Sequence, residues 1–366
     1  MYKRVVILAL TLSMLCVCGY AAEEETDLEQ RQRELLNLDE LEDAAQPYLG
    51  NLELGSELDE SLEVLLDTGI SQLDGVFRKA LRSGVLILAV VMLQGLASGL
   101  LEQGKIQTLP VVPMTGALAI TAVAISDVSV LLSLGERTVG NMTDFANILF
   151  PAATALAAAT GAITGAAVRQ MTAMLFADIL MNLMNSLLIP MVYAYLAVCI
   201  SYAAFGNEGL KRVSAFLKWS ATILLTVLLM AFVGYLTLSG VVAGHTDAAA
   251  IKAARFTLSS TIPVVGGILS DAAETVLVGT GILRGSVGIF GAVTILAICI
   301  VPFLQLGVHY LVYKLTAAVS ATVTDSRTAG LIDGIGAAFG LILGMTGAGA
   351  LMLLISLISA VTVTSL

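Results

Sequence analysis

Apolar residues run in long blocks along this chain, and the blocks have the length of membrane crossings. A membrane-spanning helix needs about 20 mostly apolar residues. Windows of that kind lie at 83–101, 110–134, 145–168, 219–243, 286–312 and 341–366. A further apolar stretch, 171–205, is interrupted by Pro190 and reads either as one kinked helix or as two short crossings. Residues 257–283 carry Pro263, Gly266, Gly267, Gly279 and Gly281 together with Asp271 and Glu274. That pattern suggests a broken or re-entrant element, which is tolerated at membrane depth only where protein or water surrounds it. The expected fold is an all-α, polytopic helical membrane protein, with residues 83–366 as its multi-pass domain. About seven crossings are expected, in a range of roughly six to eight.

The polar positions concentrate before this body. Lys3 and Arg4 precede an apolar run from Val5 to Cys18, and Gly19-Tyr20-Ala21 then supplies small residues ahead of an acidic cluster. Residues 1–22 therefore read as a secretory signal peptide cleaved near Ala21 or Ala22, with an uncleaved anchor helix as the other reading. Both put residue 23 onward outside the cytoplasm. Within 23–82, Leu28, Leu35, Leu36, Leu38 and Leu41 recur at helical spacing among acidic and amide residues. Pro47 and Gly50 break the pattern, and Leu58, Leu62, Leu65 and Leu66 resume it before Gly69. Amphipathic helices this short cannot bury a core of their own. They are expected to lie on a partner protein or against the membrane body, the partner being the favoured choice and a solvated tether the plain alternative.

Composition sharpens this division. The chain is 57% hydrophobic and 13% charged, against roughly 25% charged in soluble domains. The formal charge of −10 is local: 23–82 hold 17 Asp and Glu against five Lys and Arg, while 83–366 hold 11 of each sign. No basic patch suited to nucleic acid is present. Cys16, Cys18, Cys199 and Cys299 all fall in apolar runs and read as packing residues, neither a disulfide framework nor a metal site. The Lys/Arg bias of the loops bears on orientation. With 23–82 outside, loop 102–109 is inside and 135–144 outside. Lys211, Arg212 and Lys218 are then cytoplasmic only if 171–205 crosses twice, and Arg78, Lys79 and Arg82 oppose the rule. Trp219 beside Lys218 fits an interfacial anchor.

Candidate chemistry is sparse. Ionisable groups within a span usually face a cavity or a partner. Asp178, Asn182 and Asn185, at i, i+4 and i+7, share one helix face that could line a polar path or hydrogen-bond to a neighbouring helix. Asp271 and Glu274 sit within the broken element, where transporters place substrate sites. Asp127, with Ser126 and Ser129, is a third and weaker candidate. The alternative for each carboxylate is an ion pair with Arg169, Arg255 or Arg284 near an interface. Glycine pairs four apart mark close helix packing: Gly161 with Gly165, Gly240 with Gly244, Gly281 with Gly285, and the series Gly336, Gly340, Gly344. The neighbour could be in the same chain, in a second copy or in a partner. His245 lies in a loop and His309 near the end of a span, and two isolated histidines do not make a metal centre.

Gly99-Leu-Leu-Glu-Gln-Gly104-Lys105 has phosphate-loop spacing, but Ile106 stands where Ser or Thr must hold magnesium, and the segment closes a membrane helix. No hydrolase or metalloprotease constellation is present either. The chain is expected to be no enzyme and to need no cofactor, so any ATP-driven work falls to a partner.

A family resemblance enters at 252–291. The run from Lys252 through Ile262-Pro263-Val-Val-Gly266-Gly267-Ile-Leu-Ser270-Asp271-Ala-Ala-Glu274, followed by Gly288-Ile-Phe-Gly291, resembles the signature of the stage III sporulation protein AE family. Leu109-Pro-Val-Val-Pro113 fits the same family. The resemblance covers the membrane body, and 23–82 matches only in character. It implies an endospore-forming bacterium and a place in the mother-cell membrane around the forespore. It also implies membership of a channel complex that spans the two membranes and sustains late forespore gene expression. The partners it implies are other proteins of the same operon, including a secretion-type ATPase, and a forespore membrane protein. The family assigns no catalytic residues. The competing expectation is a self-contained secondary transporter for a small solute, which an inverted internal repeat would favour.

Overall fold

In the computed structural model, residues 38–49, 58–103, 111–159, 164–238 and 286–363 are described. Among them there are helices and two short turns, with no strand. The helices are α1 (Leu38–Leu49), α2 (Leu58–Gln103), α3 (Val111–Ala159), α4 (Thr164–Leu183), α5 (Ile189–Phe205), α6 (Glu208–Leu238), α7 (Ser286–Ser320) and α8 (Ser326–Val363). The signal peptide expected at 1–22, the broken element expected at 257–283 and the glycine pairs 240/244 and 281/285 lie outside the described residues. Among the described residues, six helical segments are long and apolar enough to cross a membrane: Leu73–Leu100, Val111–Ala153, Leu175–Phe205, Glu208–Tyr235, Val287–Ser320 and Ser326–Ile358. The protein is an all-α, multi-pass membrane protein.

Three sequence boundaries move. Windows 110–134 and 145–168 overlap a single helix, α3, so 135–144 is helix and not a loop. Glu136 and Arg137 are polar but do not interrupt backbone hydrogen bonding, and isolated glycines at 135 and 140 cost only about 1 kcal/mol each. The boundary at 82/83 falls inside α2, which runs unbroken from Leu58 through the first span. Residues 171–205 are one continuous helical run and give one candidate span, Leu175–Phe205: a π turn at Met184–Leu188 joins α4 to α5 just before Pro190. Pro190 has no N–H and its ring crowds the carbonyl four residues back, and a wider π turn relieves that conflict without ending the helix.

α8 is the axis of the bundle. Its sequence mixes glycine and alanine with leucine and isoleucine on every side, so neighbours can approach from all directions. α3, α4, α5, α6 and α7 all pack on it, and nearly every residue from Leu331 to Leu354 is buried. The connecting turns are capped locally. Gly206 ends α5 at φ 68, the left-handed region where a side chain is strained, and donates its N–H to the Tyr202 carbonyl at 2.7 Å. Asn207 Oδ1 accepts from Gly209 N at 2.7 Å to start α6, and Asp325 Oδ1 accepts from Thr328 N at 2.8 Å to start α8.

The bundle has two tiers. On α2, α3 and α7 the exposed large apolar side chains run from Phe77 to Leu100, from Val111 to Val130 and from Leu311 to Val319. On α3 this belt is about 30 Å long, the thickness of a hydrocarbon layer. The remainder of α3 rises beyond it and packs with the start of α7 and the end of α8 in a second apolar cluster. Leu41, Ala45 and Leu49 of α1 are buried in that cluster. The apolar face of α1 therefore rests on the chain's own body, one of the two places expected for it.

Tyr48 marks the seam between α1 and α3. Burial pushes its phenol above the ordinary 10.0, the Asp144 carboxylate pushes it further, and a hydrogen bond with Asn141 works the other way. A tyrosine that holds its proton more tightly when folded stabilises the fold fully below 10.0 and loses that contribution as pH rises through the folded value. Above pH 10.0, amide exchange across 38–49 is expected to accelerate in the wild type relative to Tyr48→Phe at the same pH. Equal exchange in the two proteins would remove Tyr48 as the cause.

Candidate functional site: polar groups within and upon the bundle

α3 and α7 bring a carboxylate into the core of the bundle. Asp127 is 3% exposed within the span Val111–Ala153. The Tyr313 hydroxyl donates to Asp127 Oδ2 at 3.0 Å. Tyr313 is itself fully buried, and its ring meets Phe339 of α8 edge-on at 5.1 Å between centroids. One turn earlier on α7, His309 also meets Phe339 edge-on, at 6.2 Å. His309 Nδ1 lies 2.8 Å from the Gln305 carbonyl oxygen. A carbonyl only accepts, so Nδ1 carries the proton and Nε2 of the neutral ring is a bare acceptor. That Nε2 is buried and has no hydrogen-bond partner among the described residues.

Two further polar contacts tie the same helices. Gln94 Nε2 of α2 donates to Thr328 Oγ1 of α8 at 2.8 Å, leaving Gln94 Oε1 buried without a partner, against Gly116 of α3. Lys314 of α7 pairs with Asp333 of α8 at 2.6 Å, half-buried. Among the described residues, Gln94 Oε1 and His309 Nε2 are thus buried acceptors without a donor. This arrangement can fix helix register and hold water or a proton-bearing group, and it contains no nucleophile–base pair that would point to covalent catalysis.

The residues singled out in the sequence fall in different places. Asp178 and Asn182 are exposed on the outer face of α4, and Asn185, in the π turn, is half-buried. The stripe therefore does not line a path between described helices. Asn185 Oδ1 is sealed from solvent with no hydrogen-bond partner. Asp271, Glu274 and Gly161 lie outside the described residues, and Gly165 is the second residue of α4. Gly336 lies against Tyr313 Cβ and the Lys314 backbone, where an added Cβ would stand 3.2 and 3.5 Å away. Gly340 lies against the Tyr310 ring, and Gly344 is buried within α8. For Gly336 and Gly340 the neighbour is α7 of the same chain. Asp127 meets Tyr313 because α7 crosses α3 at that level, and Arg255 and Arg284 lie outside the described residues. His309 is interior to its helix, since α7 continues to Ser320. Cys199 and Cys299 are buried free thiols.

A family profile for stage III sporulation protein AE matches residues 51–364. The chain belongs to this family. A curated relative, stage III sporulation protein AE of Bacillus subtilis (strain 168), is 26% identical over 204 residues, 55% of this chain and 51% of the relative. The match thus spans about half the length of that protein. No solved structure matches the chain. The stage III sporulation protein AE profile includes all six candidate spans and the whole Asp127–Tyr313–His309 cluster, while α1 precedes it. In this family member the tyrosine, the Gln94–Thr328 contact and the Lys314–Asp333 pair carried little signal in the sequence. Their only trace was polar residues at helical spacing inside apolar runs, with His309 and Tyr313 four apart.

Proposed function

We propose that this protein is a membrane component of the channel complex between mother cell and forespore, required for endospore formation and late forespore gene expression. The observation that carries this reading is the family match across 51–364, which takes in every candidate span. In this reading the chain sits in the mother-cell membrane around the forespore. It assembles with proteins of its operon, including a secretion-type ATPase, and with a forespore membrane protein. It contributes structure and passage, not catalysis, and energy enters through the ATPase.

The charge on the two ends of the bundle supports the orientation. One end holds the turns at 206–207 and 321–325, with Lys211, Arg212, Lys218 and Arg327 around them. The other holds α1, with Asp39, Glu40, Glu42 and Asp43, and Asp144 of α3. The basic end belongs in the cytoplasm by the positive-inside rule, which puts α1 in the space between the membranes. With α3 and 171–205 each crossing once, Lys211, Arg212 and Lys218 come to the cytoplasmic side without the second crossing that the sequence windows required. Arg78, at the opposite end of the first span, pairs with Asp74 at 2.8 Å, while exposed Lys79 and Arg82 beside it still run against the rule.

The test is deletion of the gene in its sporulating host combined with affinity isolation of the full chain from sporulating membranes. The expected result is arrest with late forespore genes silent, and co-isolation of the operon's ATPase. Normal spores, or solute transport by the purified chain alone in liposomes, would favour the self-contained transporter and overturn this reading.

A further inference from the structure

One membrane-spanning face carries polar groups that nothing else in the described chain covers. Asp178, Asn182 and Ser186, at i, i+4 and i+8, are all exposed and share an outward ridge with exposed Leu175, Ile179 and Leu187. The ridge belongs to the span Leu175–Phe205. Lipid tails offer neither donors nor acceptors, so a carboxylate and an amide facing them are strongly disfavoured and normally find a protein partner. A second observation points the same way. The π turn at Met184–Leu188 sits under both Asn185 and Ser186, and such turns commonly re-aim side chains at functional positions.

The chemistry of the ridge selects its occupant. The Ser186 hydroxyl already donates to the Asn182 carbonyl at 2.7 Å, so Ser186 has only acceptor capacity left for a visitor. Asp178 accepts only and makes no ion pair among the described residues. A second copy docking ridge to ridge about a twofold axis would bring two Asp178 carboxylates together with no cation between them, which is repulsive. We infer that this ridge docks a membrane-spanning helix of a different polypeptide, one that carries a Lys or Arg opposite Asp178 and hydrogen-bond donors opposite Asn182 and Ser186. The inference rests on the reading of the protein as part of a membrane assembly and names the surface through which it assembles.

The experiment replaces Asn182 by a photoreactive phenylalanine in the full chain in sporulating cells, with Leu315 on α7 replaced in the same way as a control face. The expected product at position 182, weak or absent at 315, is a crosslink to a distinct membrane-spanning protein with a basic residue in its span. Asp178→Lys should lower that crosslink roughly tenfold, and exchanging the partner's basic residue for Glu should restore it. If Asp178→Lys does not accumulate, Asp178→Asn removes the charge without changing the shape, and the same loss is expected. A crosslink to a second copy, to another part of the same chain or to lipid alone would overturn the inference, as would an unchanged yield with Asp178→Asn. Arrest of sporulation on deletion, together with any of those crosslinks, would leave the proposed function standing and remove only this surface.

Discussion

Gly135→Ala should destabilise the bundle, and adding Ile342→Ala should recover part of that loss. Gly135 on α3 faces the central helix so closely that a Cβ there would coincide with the Ile342 side-chain methyl. Ile342 is 1% exposed and enclosed by the bundle, so it cannot swing away. Forcing a methyl into a packed contact costs about 1–3 kcal/mol. Ile342→Ala alone leaves a cavity and costs about 2–5 kcal/mol. In the double variant the new methyl partly fills the space the isoleucine vacated, so the combined loss should fall short of the sum by about 1 kcal/mol or more. Unfolding of the purified chain in mixed micelles, with rising denaturing detergent, measures all three variants. Strictly additive losses would mean that α3 and α8 do not approach at this point.

That contact also explains where the sequence pattern was readable and where it was not. Small residues along α8 announced close packing, and Gly336 and Gly340 do lie against α7. Gly135 gave no such sign, since its partner is an isoleucine more than 200 residues away and no spacing rule connects them. Apolar windows found the spans but divided α3, because hydropathy falls wherever charged residues cluster, whether or not the backbone breaks. Glu136 and Arg137 mark the point where α3 leaves its apolar belt, not the end of the helix. For α1, the apolar spacing identified a face that must be covered, but not what covers it.

The polar positions divide in the same way. Periodicity set Asp178 and Asn182 on one face of their helix, but only the packing of α4 against α3 and α8 shows that this face points outward. Asp127 stood out as a carboxylate in an apolar run, yet its partner is 186 residues away on α7. Local reasoning offered arginine as the plausible counter-group. Among the described residues the bundle supplies a tyrosine, and the consequences for stability differ.

For that pair, each single deletion should cost more than the double. Tyr313→Phe keeps the ring against Phe339 and removes the donor to Asp127 Oδ2, leaving a buried carboxyl group short of its partner. Asp127→Leu, the nearest apolar shape, leaves the Tyr313 hydroxyl buried without an acceptor. Either orphaned group costs about 1–3 kcal/mol, whereas replacing both partners by apolar groups of similar shape is close to neutral. Asp127→Leu with Tyr313→Phe should therefore unfold later than either single variant in the same micelle titration, a coupling of about 1 kcal/mol or more. Asp127→Asn should be milder than Asp127→Leu, because the amide oxygen still accepts from Tyr313. If the double variant is instead the least stable of the set, the hydroxyl and the carboxyl are not each other's partners. The carboxyl would then be held by a donor elsewhere in the bundle.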